Sequence, residues 1–167
     1  GTIYAKDNTL IRENAFTYEE AEKLKNDIEK NYMKELNYLV LQTVEAKRYI
    51  KYPNFWKKAV NFYGYQRRFN AISYSGDLIK ELAGRNEKIM KVLIATDSEN
   101  KYILQEKLRE RHSEAEITIS GPVSIEIVPK GNTKGNAMRV VMEKKKLNYY
   151  NLYIAIFPFL TNLKHHL

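Results

Sequence analysis

The sequence contains no cysteine and no long apolar run. Without cysteine, disulfide bonds and cysteine-ligated metal sites are excluded, although this absence fits the cytosol and secretion equally well. The longest apolar stretch is far shorter than the roughly 20 residues of a membrane-spanning helix, and no basic-then-apolar leader opens the chain. We therefore expect a soluble, cytoplasmic protein without a membrane partner.

Acidic residues are the scarcer charged class, with 20 Asp and Glu against 28 Lys and Arg, which leaves a net charge of +8. A basic protein attracts anions, whether phosphorylated metabolites or nucleic acids, and the excess alone does not choose between them. A length of 167 residues with 44% hydrophobic content is enough for one domain with its own core.

Turn and capping residues signal the first elements. Residues 2–6 and 10–12 flank an Asp-Asn turn, which predicts a β-hairpin. Thr17 and Glu20 then have the spacing of a capping box, and apolar residues follow at helical intervals, so a helix is predicted over residues 18–31.

Hydrophobic periodicity predicts the other elements. We expect helices over residues 55–63, 77–83, 98–112 and 135–147, strands over residues 38–44, 92–95, 117–119 and 123–127, and a further strand-like run over residues 152–157. This pattern predicts an α/β (α+β) fold with an open mixed sheet and helices on one face.

Several positions carry specific expectations. Gly64 is expected to end the aromatic helix that precedes it. In the helix over residues 98–112, Ile103, Leu104 and Leu108 recur at helical spacing and are expected to face the core.

Strand alternation gives a further expectation. Val123, Ile125 and Ile127 alternate with polar residues, so residues 116–128 are predicted to form an antiparallel pair that is buried on one side. The single tryptophan, Trp56, is expected in the core or at a domain interface.

The most specific pattern lies at residues 126–138, which read Glu-Ile-Val-Pro-Lys-Gly-Asn-Thr-Lys-Gly-Asn-Ala-Met. Lys134 stands between Gly131 and Gly135, just before a predicted helix. Glycine permits tight turns, the first amides of a helix are unpaired donors, and lysine adds positive charge. This combination predicts a site for a phosphate or carboxylate, although a plain strand-to-helix loop with a solvated lysine has the same pattern.

This segment resembles the one by which Cof-type members of the haloacid dehalogenase (HAD) phosphatase superfamily return from the cap domain to the catalytic core. By that resemblance Lys134 matches the lysine that neutralises the phosphoryl group and the nucleophilic aspartate, within a phosphate-binding loop of Gly131, Lys134 and Gly135. The resemblance also implies a hairpin leading out of the core (residues 1–16), a cap domain (residues 17–128) and a partial return to a Rossmann-like core (residues 129–167).

Two motifs of that family have no counterpart in the sequence. The nucleophile motif Asp-x-Asp does not occur, and the apolar run Tyr153–Phe159 is not followed by the acidic residues that would hold magnesium. We therefore expect a cap fragment truncated on both sides, inactive alone and without a cofactor. The complete enzyme, with its catalytic core, would use magnesium to hydrolyse small phosphomonoesters through an aspartyl-phosphate.

Two other interpretations stay open at this point. One is a basic nucleic-acid-binding module, because aromatic and basic residues alternate over residues 63–69 in the manner of a stacking platform. The other is a degenerate, non-catalytic homologue. We expect no metal site at His165 and His166, since a trailing pair lacks further ligands.

Overall fold

The computed structural model describes residues 2–4, 10–97, 99–132 and 134–145, and the side chains of residues 13–97, 99–132 and 135–143 among them. These residues fall into two units, one that ends at Asn132 and one beyond it. The last described helix, α5, belongs to the second unit.

In the first unit, single α-helices alternate with one or two strands. Its strands are β1 (Thr2–Tyr4), β2 (Leu10–Glu13), β3 (Leu36–Thr43), β4 (Arg48–Lys51), β5 (Ile72–Ser73), β6 (Ile89–Thr96), β7 (Ala115–Ile119) and β8 (Ser124–Pro129). Its α-helices are α1 (Tyr18–Asn31), α2 (Phe55–Asn61), α3 (Leu78–Gly84) and α4 (Lys101–Arg111), with a 3-10 turn at Met33–Glu35 and a π turn at Phe62–Arg67. In the second unit, α5 spans Lys134–Lys145.

Six of the described strands form one open sheet in the order β5-β4-β3-β6-β8-β7. Its neighbours are antiparallel except for the parallel pair β4–β5, so the sheet is mixed, as predicted. Strands β7 and β8 pair antiparallel, with Ile117 opposite Ile127, which confirms the predicted pair. Strands β1 and β2 form a separate antiparallel pair, which confirms the predicted hairpin in its described part.

The main core lies between one face of the sheet and the helices α1, α3 and α4. Helix α1 begins where predicted because Thr17 and Glu20 form the capping box: the Glu20 N–H donates to the Thr17 hydroxyl (3.1 Å) and the Thr17 N–H donates to the Glu20 carboxylate (2.8 Å). The helices contribute the buried side chains Ala21, Leu24, Ile28, Leu78, Ile79, Leu82, Leu104 and Leu108. Each large aliphatic side chain buried there contributes about 1.5–3 kcal/mol. The predicted placement of α1 and α4 on one face is confirmed.

The opposite face of the sheet carries a smaller cluster. Along β3, Leu39 and Leu41 point into the main core, while Val40 belongs to the second cluster and Tyr38 packs against it. Tyr65, in the π turn, packs against the same cluster. The α2–π segment (Phe55–Arg67) therefore covers part of the second face, a detail that helical periodicity alone does not predict.

Three local expectations are wrong. Gly64 does not end a helix, because α2 ends at Asn61 and the backbone continues through the π turn that contains Gly64. Ile103 is 58% exposed, and Gln105 is buried in its place because its amide donates to the Ile117 carbonyl (2.9 Å). Val123 precedes β8 and is 43% exposed.

Trp56 is 76% exposed, so its expected place in a core is wrong for the described residues. It lies on α2, whose described residues are all exposed or half-buried. Helix α5 agrees with its predicted start to within one residue. Its predicted last residues, the run at 152–157 and the histidine pair 165–166 lie outside the described residues.

Candidate functional site

The predicted anion loop begins with a tight turn after β8. Gly131 has φ of 76°, in the left-handed region, and the Asn132 N–H donates to the Pro129 carbonyl (3.0 Å). A residue with a Cβ would pay about 1–2 kcal/mol in this conformation, so the turn explains why glycine stands at position 131.

Hydrogen bonds fix this turn to two neighbouring segments. The Lys130 N–H donates to the Glu114 carbonyl (3.1 Å), and the Lys130 ammonium donates to the Ser113 carbonyl (3.1 Å). The Asn14 amide donates to the Lys130 carbonyl (3.3 Å), and the Asn132 amide donates to the Asn14 carbonyl (3.4 Å). The chain entering α1 and the chain leaving β8 are thus held side by side.

Of the three predicted site residues, one lies in the turn after β8 and two lie at the start of α5. Gly131 lies in the turn, and its N–H points at the Glu116 carboxylate, 3.5 Å away. Lys134 and Gly135 are the first two residues of α5, and the first amides of an α-helix have no partner within the helix. The roles predicted for Gly131, Lys134 and Gly135 stay predictions.

A second charged cluster joins α1 to the end of α4. His112 is 2% exposed, and its ring lies between two carboxylates: Nε2 is 2.9 Å from Asp27 Oδ2 and Nδ1 is 3.3 Å from Glu114 Oε1. A neutral imidazole has only one N–H, so both ring nitrogens can donate to the two carboxylates only when the ring carries both protons. Arg111 also donates to Asp27 through two of its nitrogens.

Electrostatics keep both carboxylates of this cluster ionised. Burial would raise the pKa of Asp27, but hydrogen bonds from Arg111 and His112 outweigh it, and the pKa lies below its ordinary value. Burial opposes ionisation of Glu114 too, while its own backbone N–H, His112 and Lys23 lower its pKa. Two carboxylates held ionised make a poor acid–base pair, so we interpret the cluster as a clamp between α1 and α4.

The aromatic and basic residues over 63–69 do not form an open stacking platform. Tyr65 packs on Tyr38, with ring centroids 4.8 Å apart, and Phe69 lies beneath the guanidinium groups of Arg48 (5.1 Å) and Arg68 (5.5 Å). Burial raises the pKa of Tyr38 to about 12. The rings of Tyr65 and Phe69 are thus largely covered by the protein itself, whereas Tyr63 is 69% exposed.

Sequence reasoning missed one exposed surface. Phe55, Trp56, Val60 and Tyr63 are each at least 69% exposed along the α2–π segment. A signal for it exists in the sequence, because no aspartate or glutamate occurs between residues 46 and 76.

Among the described residues, no three His, Asp or Glu side chains are close enough to hold a metal ion. None of the helices in that part of the chain is both long and apolar enough to cross a membrane.

Comparison with protein families gives one match. The family described as haloacid dehalogenase-like hydrolase matches residues 1–155. No curated protein matches the chain.

Several solved structures resemble this fold. A protein from Thermotoga maritima is 21% identical, with a TM-score of 0.64 over 87% of this chain and 51% of its own. A HAD subclass IIB sugar phosphatase is 16% identical, with a TM-score of 0.58 over 85% of this chain and 49% of its own. A COF-like HAD hydrolase from Plasmodium vivax is 14% identical, with a TM-score of 0.63 over 88% of this chain and 49% of its own. The chain therefore spans about half the length of these structures and shares their fold.

Proposed function

The chain belongs to the haloacid dehalogenase-like hydrolase family, and from this membership we propose that it is the cap and substrate-selecting part of a Cof-type phosphatase. The complete enzyme would hydrolyse small phosphomonoesters in the cytoplasm through an aspartyl-phosphate. The cap would cover the reacting centre, exclude water and select the leaving group.

One observation carries this proposal. Most of the first unit is one six-stranded sheet with α1, α3 and α4 on one face, yet the chain matches only 49% of the sugar phosphatase that it resembles. A chain that reproduces half of such a structure, and ends its sheet in the segment Glu126–Met138, fits a cap with the start of the return to the core.

In this proposal Lys134 neutralises the phosphoryl group and the attacking aspartate. A fixed cation at that position stabilises negative charge that develops during phosphoryl transfer. The first amides of α5, around Gly135, would add donors to the same oxygens. The tight turn at Gly131 directs the chain from the sheet into this segment.

Magnesium is implied by the family, but the described residues do not fit it. Mg²⁺ is held by carboxylate, carbonyl and water oxygens, and the described part of the chain brings no three candidate side chains together. We propose that the catalytic core of the complete enzyme holds the metal, and no step proposed for this chain depends on it.

The proposal is tested by assaying the purified chain with p-nitrophenyl phosphate and magnesium. We expect no turnover, because a cap without a nucleophile can at most bind. Lys134→Ala and wild type should be indistinguishable in this assay. Magnesium-dependent phosphate release that Lys134→Ala abolishes would show a complete active site and contradict the cap assignment.

A degenerate, non-catalytic homologue is the alternative within the same family. The reading frame of the full transcript separates the two. An Asp-x-Asp motif upstream and Gly-Asp with Asn-Asp downstream support the phosphatase, and their absence supports the degenerate homologue.

A further inference from the structure

The positive charge of this protein is concentrated in one segment. Residues 46–76 contain no acidic residue and seven basic ones, namely Lys47, Arg48, Lys51, Lys57, Lys58, Arg67 and Arg68. The net charge of the whole chain is +8, so the rest of the sequence is close to neutral. An acid-free segment of this kind raises the local concentration of anions.

The same segment exposes apolar side chains that a monomer usually buries. Phe55 is 73% exposed, Trp56 76%, Val60 79% and Tyr63 69%. Single exposed apolar residues need no explanation, whereas several along one short segment, here α2 and the π turn, commonly mark a binding surface.

Part of this surface forms a concave site. A cavity of about 490 Å³ lies between α2 and the start of β3 and is lined by Asn37, Asn54, Trp56, Lys57, Val60 and Asn61. An indole ring and an aliphatic side chain thus adjoin three side-chain amides and one ammonium group. Apolar walls with a few placed polar groups are typical of small-molecule sites.

Lys57 is held in place at both ends. Its ammonium donates to the Asn37 side-chain oxygen (2.6 Å), and its backbone carbonyl accepts from the Asn61 amide (2.8 Å). Asp97 bonds the Asn37 amide at 3.4 Å and makes no ion pair with Lys57. Among the described carboxylates none pairs with Lys57, so its charge is available to a ligand.

We propose that this cavity, the α2 site, binds a phosphoester whose leaving group is flat and aromatic. The ring of the ligand packs on Trp56 and Val60, since flat π surfaces stack on indole, and its anionic group meets the Lys57 ammonium. The proposal goes beyond the proposed function: Lys134 is assigned to the phosphoryl group that reacts, whereas the α2 site binds an aromatic phosphoester through Lys57.

Trp56 reports directly on this site because it is the only tryptophan among the 167 residues. Excitation at the red edge of indole absorption avoids the tyrosines, and the purified chain is titrated with phenyl phosphate. We expect a saturable shift of emission to shorter wavelength as the ligand displaces water from the indole. Cyclohexyl phosphate, which has the same charge and a puckered ring, and inorganic phosphate should each bind at least about tenfold more weakly.

Lys57→Met and Lys58→Met form a matched pair for the charge. Both remove one cation from α2, but only Lys57 lines the cavity. Lys57→Met should weaken phenyl phosphate binding about tenfold, and Lys58→Met less than about twofold. Val60→Ser should weaken it as well, whereas Ile103→Ser, at another exposed apolar position, should not.

Three results would overturn the α2 site: no change in Trp56 emission, equal affinities for the phenyl and cyclohexyl esters, or equal losses in the two lysine variants. The cavity of the α2 site is lined by no residue of the proposed Lys134 loop, and its titration involves no turnover. A negative result for the α2 site therefore leaves the turnover experiment unaffected. The cap assignment is tested by turnover alone, and the α2 site by the emission of Trp56 alone.

Discussion

At the scale of single residues, His112 shows how the fold combines charges that lie far apart in the sequence. Its partner Asp27 is 85 positions away, and no periodicity or motif signals that the two meet. Helical spacing predicts that α1 and α4 lie on the same face, but it does not give their relative rotation. Packing of the two helices brings the imidazole between Asp27 and Glu114.

This clamp predicts a loss of stability in acid. The ordinary pKa values are 3.8 for Asp27 and 4.5 for Glu114, and both lie lower in the folded protein. The unfolded chain therefore binds these protons first, so the stabilisation is fully present above the ordinary values and is lost as the pH falls through the folded ones. Urea unfolding from pH 7 to pH 3 should show a free energy of unfolding that falls steeply in the acid range.

The variant Asp27→Asn tests whether the clamp causes this fall in the free energy of unfolding. It should lower the free energy of unfolding at pH 7, because His112 and Arg111 lose a charged partner, and it should flatten the acid slope. Glu22→Gln removes an exposed carboxylate from the same helix and should leave both quantities nearly unchanged. Parallel pH profiles for wild type and Asp27→Asn would contradict the clamp.

At the scale of elements, the sequence predicts where a helix begins better than it predicts which of its side chains are exposed to solvent. The start of α1 follows from Thr17 and Glu20, since a capping box is a local arrangement that needs no tertiary contact. The end predicted for α2 is wrong, because the backbone widens into a π turn that contains Gly64. The aromatic spacing of α2 was correct as a helix signal, but it does not say whether a neighbouring element covers Phe55 and Trp56.

The turn between β3 and β4 yields a prediction of this kind. Ala46 has φ of 64°, and its N–H donates to the Thr43 carbonyl (3.0 Å). Because alanine is strained there and glycine is not, Ala46→Gly should raise the free energy of unfolding by about 0.5–1 kcal/mol. Ala59→Gly is the matched control: in the exposed helix α2 the same change should cost about 1 kcal/mol. If both variants changed the free energy of unfolding in the same direction, the strain inferred at Ala46 would be refuted.

At the scale of the whole molecule, the fold was predictable and much of the site was not. Alternation in β8 and helical stripes in α1 and α4 predict an open mixed sheet with these two helices on one face, whereas they do not predict that the α2–π segment covers part of the other face. The resemblance to the haloacid dehalogenase superfamily agrees with the family match, and the assignment of residues 126–138 to the segment that returns to the core stays a prediction. The α2 site is not predicted from the sequence, because its signal is an absence of acidic residues. This absence indicates a binding surface only when the apolar side chains of α2 are known to be exposed.

The net charge of the whole molecule also predicts how the protein binds nucleic acid. A net charge of +8 must give some attraction to an oligonucleotide at low salt, so binding alone decides nothing. The ring faces over residues 63–69 are packed or covered by guanidinium groups, and even the exposed Tyr63 lies under Arg67 (5.4 Å). We therefore expect weak binding that physiological salt abolishes.

Fluorescence anisotropy with a labelled single strand tests this expectation across a salt series. Arg67→Gln should reduce the salt slope, because it removes charge from the acid-free segment, while Lys34→Gln should change it less. Tyr63→Ala should leave the affinity nearly unchanged, since Arg67 covers one face of its ring and Phe62 meets the ring edge-on, at 87°, so that the two rings form no parallel stack for a base. Sequence-selective binding that survives physiological salt and weakens by about 1–3 kcal/mol on loss of Tyr63 would instead establish a stacking platform. That result would make nucleic acid, and not a phosphoester, the ligand that the basic surface recognises.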